Sequence, residues 1–307
     1  MSRGPSRMWT KILRAVYPDR ATDNRSHPCQ EIAHWMDHKT KLQIGNDVYH
    51  VTAILGKGVY AVTYHVTKDG RSFTLKEIQL TNKNQIISSI LEFQAFEKIR
   101  TLCNTDKKNF VLRVPCPVRM ACVGSSSILF LLTYIPGKRL SDMQFKRATW
   151  RNIQMLLARL ADSVRQLHSI GIAHLDIKSD NFVLSSTTEP YLIDFGLSCI
   201  TDSTDDKIID ISECSLHAHD PSPYLDPTFF TEKGVDTKEL KQVDIYALGH
   251  IFTVVLNKYL HHKNKKLVEL KAPFNLIKAM QSKNIKSRPS AQEVARIIRR
   301  WPSDMTH

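Results

Sequence analysis

The segment His174-Leu-Asp-Ile-Lys-Ser-Asp-Asn181, followed shortly by Ile193-Asp-Phe-Gly196, gathers groups able to act together on one substrate. Asp176, Asp194 and the amide oxygen of Asn181 are hard donors of the kind Mg2+ accepts, and Asp176 can also take a proton from a hydroxyl. Lys178, close behind Asp176, can stabilise charge on a phosphoryl group in transfer. Upstream, Leu55-Gly56-Lys57-Gly58 places two glycines in a turn between strands, where missing side chains let backbone N–H groups approach phosphate oxygens. Taken alone, a tight hairpin using both glycines for positive φ is an equal reading of that stretch. Lys76, on the next strand in Phe-Thr-Leu-Lys, could neutralise phosphates, but an inward lysine needs a counter-ion. Glu92, in the helical run that follows, is the natural candidate; Glu97 competes and is expected to be exposed.

The elements that must position these groups are legible as changes of period. Residues 46 to about 80 alternate apolar and β-branched residues between glycine-bearing turns, which predicts an antiparallel meander. A helix over 85–100 interrupts it, strands resume through 110–124 and 127–135, and Pro136-Gly137-Lys138 breaks the pattern. A small sheet-rich lobe therefore ends near Ile135. Beyond it, Trp150, Ile153, Leu156, Leu157, Leu160, Val164 and Leu167 predict one long helix, and Val243, Tyr246, Ala247, Ile251 and Val254 another. Ser290 and Glu293 form a capping-box pattern ahead of Val294, Ile297, Ile298 and Trp301. Residues 1–45 show little periodicity, apart from Trp9, Ile12, Leu13, Val16 and Tyr17 at helical spacing, which predict a short amphipathic helix docked on the protein's own surface. His34 and His38 sit four apart with no third ligand near in sequence and read as surface histidines.

Composition bounds the rest. The 307 residues are 42% hydrophobic and 24% charged, values of a folded globular protein, with no apolar run of membrane-spanning length. The N-terminus lacks the apolar core and cleavage site of a secretion signal. Six cysteines, at 29, 103, 116, 122, 199 and 214, form no CxxC or Cys/His metal spacing, so reduced thiols in an intracellular compartment, cytoplasm or nucleus, are expected. Lys and Arg outnumber Asp and Glu by 43 to 30, giving +13. That excess favours acidic partners, yet it is spread out and poor in interleaved aromatics, so a solvated basic face is expected rather than a nucleic-acid site.

In order and over roughly residues 48–302, the motifs resemble those of the eukaryotic protein-kinase family, and of its serine/threonine branch by Lys178. Gly-Lys-Gly-Val-Tyr-Ala resembles the glycine-rich loop, Phe-Thr-Leu-Lys the strand lysine, His-Leu-Asp-Ile-Lys-Ser-Asp-Asn the catalytic loop and Ile-Asp-Phe-Gly the metal-binding motif. Val-Asp244-Ile-Tyr-Ala-Leu-Gly looks like the helix with an anchoring Asp, and Arg288-Pro-Ser like the arginine near the C-terminal helices. The divergent closing motif suggests a divergent, viral-type member.

The resemblance implies an α+β, bilobal fold: an extension over 1–45, a kinase domain over 46–302 with lobes 46–135 and 136–302, and a tail over 303–307. It implies an ATP-dependent serine/threonine protein kinase using Mg2+, with Mn2+ as the alternative ion, and protein substrates, acidic ones by the charge balance. Lys76 would hold the α- and β-phosphates and pair with Glu92; Asp194 and Asn181 would hold metal; Asp176 would be the base and Lys178 would meet the γ-phosphate. Leu55, Gly56, Lys57 and Gly58 would cover the nucleotide, Thr63 and Thr74 its adenine face, Leu132 would guard the pocket, and Thr133 to Ile135 would offer backbone groups to adenine. His174 and Phe195 would pack. Three departures stand out. Ala61, Thr63 and Thr74 replace a glycine, a valine and an alanine. Asp226-Pro-Thr228 stands where Ala-Pro-Glu closes the activation segment, leaving Arg288 without its carboxylate unless Glu232 substitutes. Leu175 replaces the arginine that in many kinases binds a phosphorylated activation loop. The alternatives are a pseudokinase serving as a binding module and a kinase of small molecules.

Overall fold

The computed structural model describes residues 31–58, 61–103, 112–124, 126–185, 188–201, 208–209, 224, 226 and 235–302. The stretch over 9–17 and Glu232 lie outside the described residues. The chain divides into two compact units, the first running to Thr105 and resuming over Pro115–Ile135, the second holding Asp106–Val114 and everything from Pro136 onward.

The first unit is built on strands β1 (Glu31–Met36), β2 (Lys41–Ile44), β3 (Asp47–Lys57), β4 (Ala61–Lys68), β5 (Arg71–Gln79), β6 (Pro117–Val123) and β7 (Ser127–Thr133), with helix α1 (Lys83–Cys103). They close into a barrel of order β1-β2-β3-β4-β5-β7-β6. The meander over β3 to β5 pairs antiparallel as the alternation predicts. A boundary at residue 45 does not match this architecture, because β1 and β2 belong to the barrel: β1 pairs antiparallel with β2 and parallel with β6. Period-2 alternation explains the interior, where Ala33, Leu42, Ile44, Tyr49, Tyr64, Val66, Leu75, Ala121, Leu129 and Leu131 pack together. Glu77 shares that inward phase and is buried. It accepts hydrogen bonds from Trp35 Nε1 (3.1 Å), Tyr64 OH (3.2 Å) and Lys39 Nζ (3.1 Å), so its charge is compensated inside the barrel. Delivering Lys39 there takes three consecutive residues, Asp37, His38 and Lys39, at positive φ. His34 and His38 are exposed, as expected, but on a strand and a turn rather than on a helix.

The second unit holds β8 (Gly137–Arg139), α2 (Trp150–Ser169), β9 (Ile172–Ala173), β10 (Phe182–Ser185), β11 (Pro190–Leu192), β12 (Cys199–Ile200), α3 (Thr237–His261), α4 (Lys271–Met280) and α5 (Ala291–Arg299). Helix α2 starts at a capping box between Thr149 and Asn152 and buries every apolar position that its period predicts. The predicted Ser290–Glu293 box opens α5, and Trp301 beyond it stacks on Trp150 at 5.9 Å. Helix α3 is apolar nearly all round and runs through the unit's interior, which suits an anchor for loops.

Cys103 and Cys116 form a disulfide, and Cys122 and Cys199 are disulfide-bonded as well. The expectation of reduced thiols, drawn from the absence of CxxC pairs, therefore fails: disulfide partners need only meet in space, and these two are thirteen residues apart.

Candidate active site

In the first unit, alternation along β4 and β5 turns Tyr64, Leu75 and Glu77 into the barrel and Thr63, Thr74 and Lys76 onto its outer face. Thr63 is the register partner of Lys76, and Thr74 that of Leu132. Lys76 Nζ lies 2.7 Å from both carboxylate oxygens of Glu92 on α1, and the Glu92 side chain is 1% exposed. Glu97 instead meets Arg100, 3.1 Å away, and is half-buried rather than exposed. A buried carboxylate this close to an ammonium helps fix its position, since a buried charge needs compensation.

Gly56 lies in β3 at a register irregularity rather than in the turn, and Gly58 donates its N–H to Ala61 O (2.8 Å). Neither glycine has positive φ, so backbone conformation does not demand them here. What they provide is an uncovered backbone edge beside exposed Leu55 and Lys57. Thr133 differs from expectation in one respect. Its N–H already goes to Cys116 O (2.9 Å) and its Oγ1 accepts from Cys116 N (2.8 Å). That amide is therefore already engaged within the first unit.

In the second unit, Asp176 is held from two directions. Lys178 Nζ sits 2.7 and 3.0 Å from its carboxylate oxygens, and Asn181 Nδ2 donates to Asp176 Oδ2 and to its carbonyl, both at 2.8 Å. The Asp176 side chain remains 24% exposed, enough for a hydroxyl to reach it. Ile193 N–H donates to Asn181 O (2.9 Å), which brings Asp194 beside Asn181. Asp194 is exposed at φ 68° while Phe195 is fully buried against His174, so packing of the ring holds the carboxylate outward. Burial pushes the His174 imidazole pKa below its ordinary value, against the pull of Asp244, Asp176 and Asp194. The neutral ring bridges Ile193 O (3.1 Å) and Asp176 N–H (3.3 Å), a packing role, as expected.

Asp244 on α3, wholly buried, accepts the N–H groups of His174 and Leu175, each at 2.8 Å, and His168 Nε2 at 2.8 Å. This clamp holds Leu175 at φ 61°, a region that costs a branched residue about 1–3 kcal/mol. The Leu175 side chain is buried among Ala173, Cys199, Leu240 and Val243. Arg288 does have a carboxylate, contrary to the sequence expectation. Asp226 itself forms a fully buried ion pair with it, and Arg288 also donates to Ser282 O (2.9 Å) and Gln242 O (3.1 Å) and lies over the Tyr246 ring. The sequence marked Asp226 as part of the divergent closing motif but not as the partner of Arg288, because the two residues are far apart in the chain and their pairing is non-local.

A metal and a nucleotide are testable against these donors. Asn181 commits its amide nitrogen to Asp176, leaving the carbonyl oxygen as its ligand atom, and Asp194 presents an exposed carboxylate. Two such oxygens fit Mg2+, which binds through one or two protein oxygens plus phosphates, and no cluster of three or more His, Cys, Asp or Glu ligands occurs among the described residues.

Comparison with known proteins meets this geometry. Residues 49–299 match the family model of the protein kinase domain. The chain is 26% identical over 253 residues to the serine/threonine-protein kinase-like protein CCR4 of Arabidopsis thaliana, covering 77% of this chain and 33% of that protein. It is 26% identical over 227 residues to CBL-interacting protein kinase 10 of Oryza sativa subsp. japonica, covering 72% and 46% respectively. The match thus spans a third to a half of these relatives. Among solved structures, the BubR1 kinase domain superposes with a TM-score of 0.68 at 18% identity, over 96% of this chain and 93% of that one.

Proposed function

Given that the chain belongs to the protein kinase family, we propose that it is an ATP-dependent serine/threonine kinase acting on protein hydroxyls, with Asp176 as base. The observation that carries this reading is the Asp176 carboxylate, oriented by Lys178 and Asn181 yet open to solvent. A bound nucleotide with Mg2+ supplies the transferable phosphoryl group and much of the charge neutralisation. This chain's residues do the remainder. Lys76, fixed by Glu92, would position the α- and β-phosphates; Asp194 and Asn181 Oδ1 would hold the metal; Asp176 would align the acceptor hydroxyl and take its proton. Lys178 orients Asp176 at rest and would move toward the γ-phosphate as charge redistributes. The basic balance of the chain favours acidic protein segments as substrates.

A binding module without turnover is the competing reading, and it leaned partly on a missing partner for Arg288. Asp226 supplies that partner, which removes this one ground and leaves the altered adenine ceiling, Thr63 and Thr74, as the other. Transfer from labelled ATP to acidic and basic peptides, with and without Mg2+, tests the proposal. Lys76→Met and Asp194→Asn should each abolish Mg2+-dependent transfer while keeping the fold by circular dichroism. Wild-type rates in either variant would refute the site assignment.

A further inference from the structure

Along α1, Glu92, Phe96, Ile99 and Cys103 recur at spacings of four, three and four and therefore share one face. Three of them are fastened to the barrel in different ways. Glu92 pairs with Lys76 on β5, Phe96 meets the Phe130 ring of β7 edge-on at 5.1 Å between centroids, and Cys103 is bonded covalently to Cys116. Cys116 in turn donates its N–H to Thr133 Oγ1 (2.8 Å) and accepts the Thr133 N–H at its carbonyl (2.9 Å). Thr133 ends β7 and leads directly into Tyr134 and Ile135. One sulfur bridge thus joins the end of the helix that orients Lys76 to the stretch assigned above to the adenine edge.

We propose that the Cys103–Cys116 disulfide is a redox-sensitive positioning link for the nucleotide: oxidised, it holds α1 and the Thr133 connector in fixed register, and reduced, it releases them and weakens ATP binding. The inference rests on the ATP-binding reading of this lobe. The chemistry is reversible exchange with a dithiol reductant. A thiolate of the reductant attacks one sulfur, the Cys103–Cys116 bond breaks, and a mixed disulfide forms. The reductant's second thiol then displaces it as a cyclic disulfide. Two electrons and two protons pass to the protein, leaving Cys103 and Cys116 as thiols. Both cysteines are positioning residues, since neither is assigned a contact with the nucleotide.

The test uses the full chain, wild type and Cys103→Ser/Cys116→Ser, each with and without dithiothreitol. Hydrogen exchange is followed along α1 and at the Thr133 amide, together with kcat and KM for ATP and the binding of a fluorescent ATP analogue. Reducing the wild type should speed exchange at both places and raise KM for ATP about five- to tenfold, with kcat at saturating ATP within about twofold. The double variant should show the raised KM and faster exchange already without dithiothreitol, which in it can act only on other bonds such as those of Cys122 and Cys199. Unchanged exchange and KM on reduction would overturn the link, as would an untreated double variant whose exchange and KM equal those of the oxidised wild type. Should the variant fail to fold, partial reduction of the wild type with mass mapping of alkylated Cys103 and Cys116 replaces it. KM that does not track their alkylation again overturns the link. Faster exchange in a protein that binds no nucleotide in either form would instead refute the ATP reading, a result distinct from unchanged exchange.

Discussion

Asp176 draws its geometry from neighbours that act before any substrate arrives, so its own contribution should begin only when a hydroxyl is in place. Asp176→Asn should therefore lower kcat by about 10²- to 10⁴-fold and leave ATP affinity nearly unchanged, measured by steady-state transfer and by analogue binding. A large loss of affinity would place Asp176 in nucleotide binding instead. His174 makes a pH prediction whose sign follows from burial. Burial holds its folded pKa below the ordinary 6.5, so below that pH the unfolded chain takes up a proton that the folded chain refuses. This contribution to stability is complete above about pH 6.5 and is lost as pH falls toward the depressed folded pKa. The urea midpoint should drop between pH 7 and 5, and it should drop less in His174→Phe, which keeps the contact with Phe195. An equal slope in both proteins would assign the effect to other histidines.

Among elements, the stretch that returns to α3 and to the residues before α5 depends on the pair Asp226–Arg288, both side chains almost entirely buried. Asp226→Asn leaves an uncompensated buried guanidinium and should cost about 3–5 kcal/mol in urea unfolding, whereas Asp226→Glu, which keeps the charge, should cost clearly less. Equal costs would show that shape, not charge, is what the site demands. The long helices were readable in advance because period 3.6 and capping boxes are local signals, and α2 and α5 begin where Thr149 and Ser290 cap them. The Lys76–Glu92 pairing was readable from motif order. Three features were not, each for a non-local reason. Residues 31–44 look like an irregular extension because the strand that closes the barrel against them, β6, lies far along the chain. Asp226 meets Arg288 only after a long segment has returned. Cys103 and Cys116 carry no spacing signal, since a disulfide needs only proximity.

For the molecule as a whole, Leu175 bears on regulation. It is buried in an apolar cluster beside Asp176, where an arginine would otherwise offer charge-assisted bonds to a phosphorylated loop. Protein made in bacteria and treated with phosphatase should keep most of its activity. Alanine at Ser198, Thr201, Ser203, Thr204, Ser212, Ser215 and Ser222 should change kcat less than about tenfold, under about 1.4 kcal/mol of barrier. Of these, Ser198 and Thr201 are buried and the other five lie outside the described residues. Activity lost on dephosphorylation and restored by one phosphate would show that another cation takes the arginine's place.

The parallel seam between β1 and β6 also sets the order of events during synthesis. Glu31 on β1 binds Arg119 on β6, 88 residues later. At about 5–20 residues per second, the first strand leaves the ribosome roughly 4–18 seconds before its partner exists. Until then β1 and β2 present an unpaired strand edge with Trp35 and Ile44 exposed, a template for pairing with other nascent chains. Long-range closure of this kind raises contact order and slows folding. The barrel unit should therefore pass through a window of exposure to aggregation, and its length is set by translation speed as much as by sequence.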